Sequence, residues 1–287
     1  MRTEQTDISI THFQRRNRWT VRDLLSRNFY SHTHLDWHDT DQWLDNEAAP
    51  VRLAWQHNRL IGVLATSVPL NNTCWVRLAA VLDHSDLIPT LTMLWDDLRL
   101  ELRALGVHTA AWLMIRDWPT QCAGQMGFEY SDEIVTLRRA NQIAPPDISS
   151  EAITIRHARP EDLPTMAQVD HAAFTPPWQM TLSDLRQAER VSANCTVAIS
   201  TGNIVGYQLS TLYFDGAHLA RLAVLPEMQG NGVGSTLLSE VLRYFARRGV
   251  YAMTVNTQAS NTASQRLYLR YGFRHNGYDL PVWLANI

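Results

Sequence analysis

The chain has 287 residues, 45% of them hydrophobic, with a formal net charge of −3 and a sequence pI near 6.4. That length buries a sizeable core and divides into two domains of ordinary size. The slightly acidic balance excludes the clustered basic face of a nucleic-acid binder, and the absence of lysine among 25 basic residues excludes a lysine Schiff base and a Walker A loop.

Cys74, Cys122 and Cys195 are scattered, odd in number and outside any CxxC pattern, which predicts a reducing interior rather than a disulfide scaffold. The N-terminus "MRTEQTDISI" lacks the apolar run of a signal peptide, and no stretch approaches the roughly 18 apolar residues of a membrane span. The expected location is the cytoplasm, with neither membrane nor nucleic acid as a partner.

In chain order, "SHTHLDWHDTD" gathers His32, His34 and His38 beside several aspartates. It lacks the spacing of a known metal motif and reads as a polar turn and helix start, so no metal is expected. "RLIGVLATSV" holds Gly62, and "RLAAVL" begins at Arg77. Both recur later: Gly62 is answered by Gly206 in "NIVGYQLSTL", and Arg77 by Arg221 in "RLAVLP", each 144 positions on. "LRALGV" is answered by "FARRGV", and "QMGF" by "RYGF". One fold unit of about 140 residues therefore occurs twice. "ANQIAPPDISSE" breaks the pattern with paired prolines and small polar residues. The expected division is a first domain over 1–140, a linker over 141–151 and a second domain over 152–287.

In the second half "ITIRHA" is a short alternating strand, and "RPEDLPTMAQVDHAAF" a turn followed by apolar residues at helical spacing. "CTVAIS" and "IVGYQLSTLYF" are strands joined by the hairpin signal "TGN", and "AHLARLAVL" is a third. "LPEMQGNGVGSTLL" then packs three glycines into five positions before a helix that ends at Gly249. "VYAMTVNT" is another strand, "NTASQRLYLRYG" a helix ended by Gly272, and "FRHNGYDLPVWLA" a closing strand pair. A bare backbone opening a helix presents free N–H groups to an anion, which predicts a phosphate-bearing cofactor. A dinucleotide fold is excluded, because GxGxxG would need glycine at Ser235.

"RLAVLPEMQGNGVGSTLL" followed by "NTASQRLYLRYGF" resembles the two main motifs of the GNAT superfamily of acetyl-CoA-dependent N-acetyltransferases, most closely the branch that acetylates ribosomal-protein N-termini. The resemblance covers about residues 152–287 well and the first half in outline only. It implies an α/β protein of two tandem domains, each a mixed, mostly antiparallel sheet flanked by helices. The implied cosubstrate is acetyl-CoA, its pantetheine arm paired with the backbone at Leu222, Ala223 and Val224. Its pyrophosphate would lie on the loop Gln229, Gly230, Asn231, Gly232, Val233, Gly234 and Ser235.

The resemblance further assigns Asn261 to coenzyme contact and Tyr268 to the general acid that protonates the departing thiolate. That branch carries a glutamate base where this sequence has Asn256, and His218 is the nearest titratable alternative. Phe174 and Trp178, in "AFTPPWQMTL", fall where the family builds a wall of its acceptor site; a rigid proline loop packed on the core fits them equally. The implied reaction is acetyl transfer to a primary amine, on a peptide N-terminus or a small molecule, by direct attack in a ternary complex. A non-catalytic acyl-CoA-binding module and a mycothiol-synthase-like enzyme acting on a small amino conjugate are the alternatives.

The first copy lacks the machinery. Where the second has its glycine loop, the first has "DHSDLIPTLTMLW", with Asp86 to repel phosphate and Pro89 lacking an N–H. Counting back from the shared Gly-Phe, Ala123 stands for Tyr268 and Arg116 for Asn261. Eight of the ten tryptophans lie between Trp19 and Trp118, an apolar supply expected to pack against a partner domain.

Overall fold

The computed structural model describes residues 8–46, 48–142, 145 and 152–287. Most of the expected linker, at 143–144 and 146–151, lies outside the described residues, as do residues 1–7. The chain forms two compact units, one of Met1–Ser131 with Leu280–Ile287 and one of Asp132–Asp279.

The first unit runs β1 (Ser9–His12), α1 (Arg18–Arg27), β2 (Ser31–Thr33), α2 (Thr40–Leu44), β3 (Val51–Gln56), β4 (Arg59–Thr66), β5 (Thr73–Val81), α3 (Leu87–Ala104), β6 (Thr109–Leu113) and α4 (Thr120–Ala123). Its strands pair in the order β1-β3-β4-β5-β6, antiparallel except for the parallel pair β5 and β6. The chain crosses to the second unit within β7 (Phe128–Ala140) and continues as β8 (Thr154–His157), α5 (Leu163–Ala173), α6 (Leu182–Val191), β9 (Asn194–Ser200), β10 (Asn203–Tyr213), β11 (Gly216–Val224), α7 (Val233–Ala246), β12 (Ala252–Gln258), α8 (Thr262–Arg270) and β13 (Arg274–His275). Here the order is β8-β9-β10-β11-β12-β7, again with one parallel pair, β11 and β12.

The closing strand pair expected in the second half does not form. β13 pairs with β7, whereas β14 (Leu280–Asn286) pairs antiparallel with β6 of the first unit, from Val282 opposite Leu113 to Asn286 opposite Thr109. The free edge of β12 is taken by β7, with Ile134–Ala140 running along Gln258–Ala252. Local sequence carries no information about which edge each strand completes.

The long helices follow from their apolar stripes. Val233, Leu237, Leu238, Val241, Leu242 and Phe245 of α7 are buried at helical spacing, as are Leu91, Leu94, Trp95, Leu98 and Leu102 of α3. Burying each such side chain contributes about 1.5–3 kcal/mol. Trp95, Trp112 and Trp118 lie within the first unit's own core rather than forming a surface for a partner, and the Trp95 indole donates to Met126 O at 2.8 Å. No helix of the described residues is long and apolar enough to cross a membrane.

The repeated glycine has a packing cause. A Cβ at Gly206 of β10 would meet Ala223 O at 2.8 Å and Val233 Cγ1 at 3.2 Å; one at Gly62 of β4 would meet Thr90 Cγ2 at 2.8 Å and Leu94 Cδ1 at 3.1 Å. Both copies need a bare Cα where the long helix crosses the sheet. The Gly206 neighbour is backbone and cannot rotate away. Gly206→Ala should therefore cost about 1–3 kcal/mol by overpacking, and more than Gly62→Ala, which meets flexible side-chain ends. Chemical denaturation of the two variants checks this, and equal costs would contradict it.

Candidate active site

One edge of β11 is paired by β10 from end to end. The other is paired by β12 only from Ala217 opposite Met253 to Leu219 opposite Val255. Past that point β12 stays on β7 through Asn256–Gln258, and no strand of the described residues pairs with that edge at Ala220–Val224. A β-bulge marks the parting: Leu209 is opposite Arg221 and Ser210 opposite Leu219, so Ala220 is the extra residue and bends the strand. Leu222, Ala223 and Val224 thus present backbone on an open edge. Their side chains do not compete for it, since Ala223 is buried and Leu222 and Val224 pack towards Val233 and Leu237.

The first unit has the same parting, differently resolved. β5 and β6 pair only from Thr73 opposite Thr109 to Trp75 opposite Ala111, which are 144 positions before Ala217 and its neighbours. Beyond it, β2 inserts: Ser31, His32 and Thr33 lie opposite Ala80, Ala79 and Leu78. His34 N donates to Arg77 O at 2.9 Å, Val81 N to Tyr30 O at 2.9 Å, and the Trp118 indole to Ser31 O at 3.2 Å. The counterparts of Leu222, Ala223 and Val224 are therefore paired by the chain itself. The segment read as a polar turn and helix start is a strand at 31–33 and a capped helix only from Asp39, whose carboxylate accepts from Gln42 N. His32 is 1% exposed, and burial pushes its pKa down to about 3. No group of three or more potential metal ligands occurs among the described residues.

The glycine loop closes the open edge of the second unit at its far end. Gly230 and Gly232 adopt φ of +79° and +84°, and a Cβ at either would meet nothing within 4 Å. Their glycine requirement is conformational, and the space a side chain would fill stays clear. Gly232 caps α7, and the first bonded N–H of that turn is Thr236 N, to Gly232 O at 2.9 Å. Val233, Gly234 and Ser235 supply the unpaired N–H groups of a helix start. Donors facing cleared space at the positive end of a 14-residue helix fit a pyrophosphate. The Gln229 amide donates to Val224 O at 3.2 Å, tying the loop to the strand, and Tyr271 OH donates to Ser235 O at 3.0 Å.

Asn261 is the N-cap of α8, its side-chain oxygen accepting from Ser264 N at 3.1 Å. Tyr268 is 4% exposed and stacks at a tilt on Phe273, and burial raises its pKa. Its hydroxyl has no hydrogen-bond partner among the described residues. His218 is half-buried on β11, beside the last parallel pairs. Its Nδ1 lies 2.8 Å from Thr254 Oγ1, and burial lowers its pKa. Asn256 is exposed on β12, one residue past the parallel pairing.

A buried cluster that the sequence reading did not single out sits beside these residues. Asp170, on α5 and 0% exposed, accepts from Arg221 Nε at 2.8 Å and Nη2 at 2.9 Å, from Tyr207 OH at 2.6 Å and from Met180 N at 2.8 Å. Arg221 Nη2 also donates to Trp178 O at 2.6 Å, and its guanidinium lies 3.6 Å from the Phe174 ring centroid. The signal available in the sequence was an arginine recurring at the same place in two apolar strands.

Residues 163–273 match the Acetyltransferase (GNAT) family. The second unit is a GNAT acetyltransferase domain. The chain is accordingly an acyltransferase, of a family that generally uses acetyl-CoA. It is 29% identical over 120 residues, 42% of its length, to a ribosomal protein bS18 alanine N-acetyltransferase of Escherichia coli strain K12, covering 80% of that protein. It is 28% identical over 212 residues to a mycothiol acetyltransferase of Saccharopolyspora erythraea, covering 68% of this chain and 65% of that one. A solved tandem GNAT protein from the clavulanic acid biosynthesis pathway superposes with a TM-score of 0.65 at 17% identity, covering 98% of each chain, which establishes the tandem fold.

Burial disfavours the charged imidazolium, so in an NMR titration His218 should show a midpoint below the ordinary 6.5. The unfolded chain then binds a proton that the GNAT domain refuses, and this contribution to stability is lost as pH falls from 6.5 towards the folded midpoint. A midpoint above 6.5 would contradict the placement.

Proposed function

We propose that the GNAT domain transfers an acetyl group from acetyl-CoA to a primary amine by direct attack in a ternary complex. The observation that carries this reading is the open edge of β11 at Leu222–Val224, running into a left-handed glycine loop, where the first unit spends the equivalent edge on its own β2.

Bound acetyl-CoA supplies an acetyl group activated as a thioester. Leu222, Ala223 and Val224 hold the arm of the cosubstrate through their backbone, and Gly230 to Ser235 hold its pyrophosphate. Asn261 contributes by fixing the start of α8 and hence the position of Tyr268. In the tautomer that donates Nδ1–H to Thr254 Oγ1, 2.8 Å away, His218 keeps a lone pair on Nε2 to take a proton from the incoming ammonium, directly or through water. Tyr268 is protonated at neutral pH as any phenol is, burial raising its pKa further; its hydroxyl gives a proton to the leaving sulfur and recovers one from the nitrogen that has attacked. Burial pushes the Cys195 thiol up to about 12, which leaves little thiolate for a covalent relay and favours direct attack.

Two acceptor classes are in play. The ribosomal-protein relatives, matched over 120 or more residues, favour an alanine-initiated peptide. The mycothiol acetyltransferase, matched over 212 residues, favours a small amino conjugate. Thiol release from acetyl-CoA with an alanine-initiated peptide and with an aminoacylated amino sugar separates them, and release with neither, given tight acetyl-CoA binding, points to a binding module.

Calorimetry should count one acetyl-CoA per chain, and Gly232→Asp, which sets a carboxylate against the pyrophosphate cradle, should abolish it. A site that survives the mutation would mean that β2 does not close the first unit to coenzyme.

Tyr268→Phe keeps the ring and removes only the proton. Turnover should fall about 10²-fold or more, with the KM for acetyl-CoA little changed. Wild-type turnover in this variant would leave Tyr268 a packing residue.

A further inference from the structure

We propose that Arg221 is a positioning residue for the acceptor side of the site, acting through Phe174 and Trp178; this rests on the acetyl-transfer reading above. Arg221 stands next to the bulge and immediately before Leu222, so any shift of its side chain is felt where β11 leaves β12. Its grip falls on the last turns of α5 and on the connection from there to α6, with Tyr207 of β10 facing it as well. The fork of Nε and Nη2 grips Asp170, Nη2 holds the Trp178 carbonyl, and the guanidinium face covers the Phe174 ring. Asp170 reaches back to the same connection through Met180 N, and Tyr207 OH completes its shell of donors. A planar fork with a face to stack is the group suited to hold a carboxylate, a carbonyl and a ring at once.

The first unit supplies an independent observation. Arg77, 144 positions before Arg221, has Nη1 at 2.6 Å from Asp36 Oδ2 and at 3.1 Å from His34 O. Again the grip is on a carboxylate and a carbonyl of the connection between the first two helices. In that copy the connection is laid along the strand as β2. In the second copy residues 174–181 contain no strand and meet β11 through the Arg221 side chain instead. The arginine thus sets where this connection lies relative to the parting strands. A buried ion pair is a poor device for stability alone, because desolvation offsets its attraction.

The test removes the grip without leaving a buried charge. In Tyr207→Phe/Asp170→Leu/Arg221→Met the cluster becomes apolar at similar volume, which generally preserves folding. With the alanine-initiated peptide as probe, KM should rise about tenfold or more, while kcat and the acetyl-CoA Kd stay within about twofold. Hydrogen exchange should quicken at amides 174–180 and not in α7. Phe174→Leu and Arg221→Lys, which leave Asp170 opposite either arginine or an ammonium, should raise KM in the same direction, and they decide the matter if the triple variant does not fold. Unchanged KM and exchange in a folded triple variant would overturn the proposal, as would a parallel loss of acetyl-CoA affinity, the mark of a merely structural role. If the wild type releases no thiol with the peptide, the acceptor reading has failed, and the exchange pattern alone then supports or refutes the grip.

Discussion

Backbone N–H and C=O groups on a strand edge require partners, and both units are organised by how that requirement is met where a parallel pair of strands comes apart. Three residues of β11 lie against three of β12, a bulge follows, and the strands separate. The first unit repeats this with β5 and β6, with a register shift at Ala65/Thr66 opposite Arg77. A gap of this kind is a strand-shaped receptor. In the first unit Ser31–Thr33 fills it and the indole of Trp118 caps the inserted backbone. In the second, the edge runs on to a helix start whose donors are also unpaired, and the two features together match an extended chain ending in phosphate.

The division into units follows the sheets rather than the prolines. β7 leaves the first unit to complete the sheet of the second along β12, and β14 returns to complete the first along β6. A cut within 141–151 would leave each half lacking the strand that covers its parallel pair. Neither strand's sequence names its partner, so an exchange of partners between copies of one fold leaves no mark on either strand taken singly.

What was legible in the sequence was local. Gly249 and Gly272 take the left-handed φ that their places at helix ends implied, Gly230 and Gly232 take it where the pattern implied only a bare backbone, and the strand and helix order of the second half follows its periodicities. The paired Gly62 and Gly206 marked the repeat, and their cause, a helix crossing close above, appears only with the third dimension. The residues that escaped are those whose partners are distant in the chain. Arg221 meets Asp170 across 51 positions, and His32 sits opposite Ala79 because a strand of three residues is too short to declare itself by alternation. Phe174 and Trp178 were undecided between a site wall and a packed loop. The structure ties both to Arg221 on the open strand, Trp178 through its carbonyl and Phe174 through its ring.

In the proposed chemistry, Asn256 stands at the place where the resembled branch carries a glutamate. An amide there cannot take the proton that a glutamate would, and a carboxylate would have brought negative charge to the mouth of the gap. With His218 as base and Tyr268 as acid, both proton-handling groups are neutral at pH 7. Burial moves them apart, drawing the imidazole down and, against the charge of Arg221, the phenol up. One accepts from the ammonium and the other donates to sulfur; the attacking nitrogen's second proton restores the phenol, the imidazolium releases its proton to water, and the site at rest holds no net charge of its own. This suits a gap bordered by the apolar core of α7, where an unpaired carboxylate would be costly to bury and would itself be driven towards its protonated form.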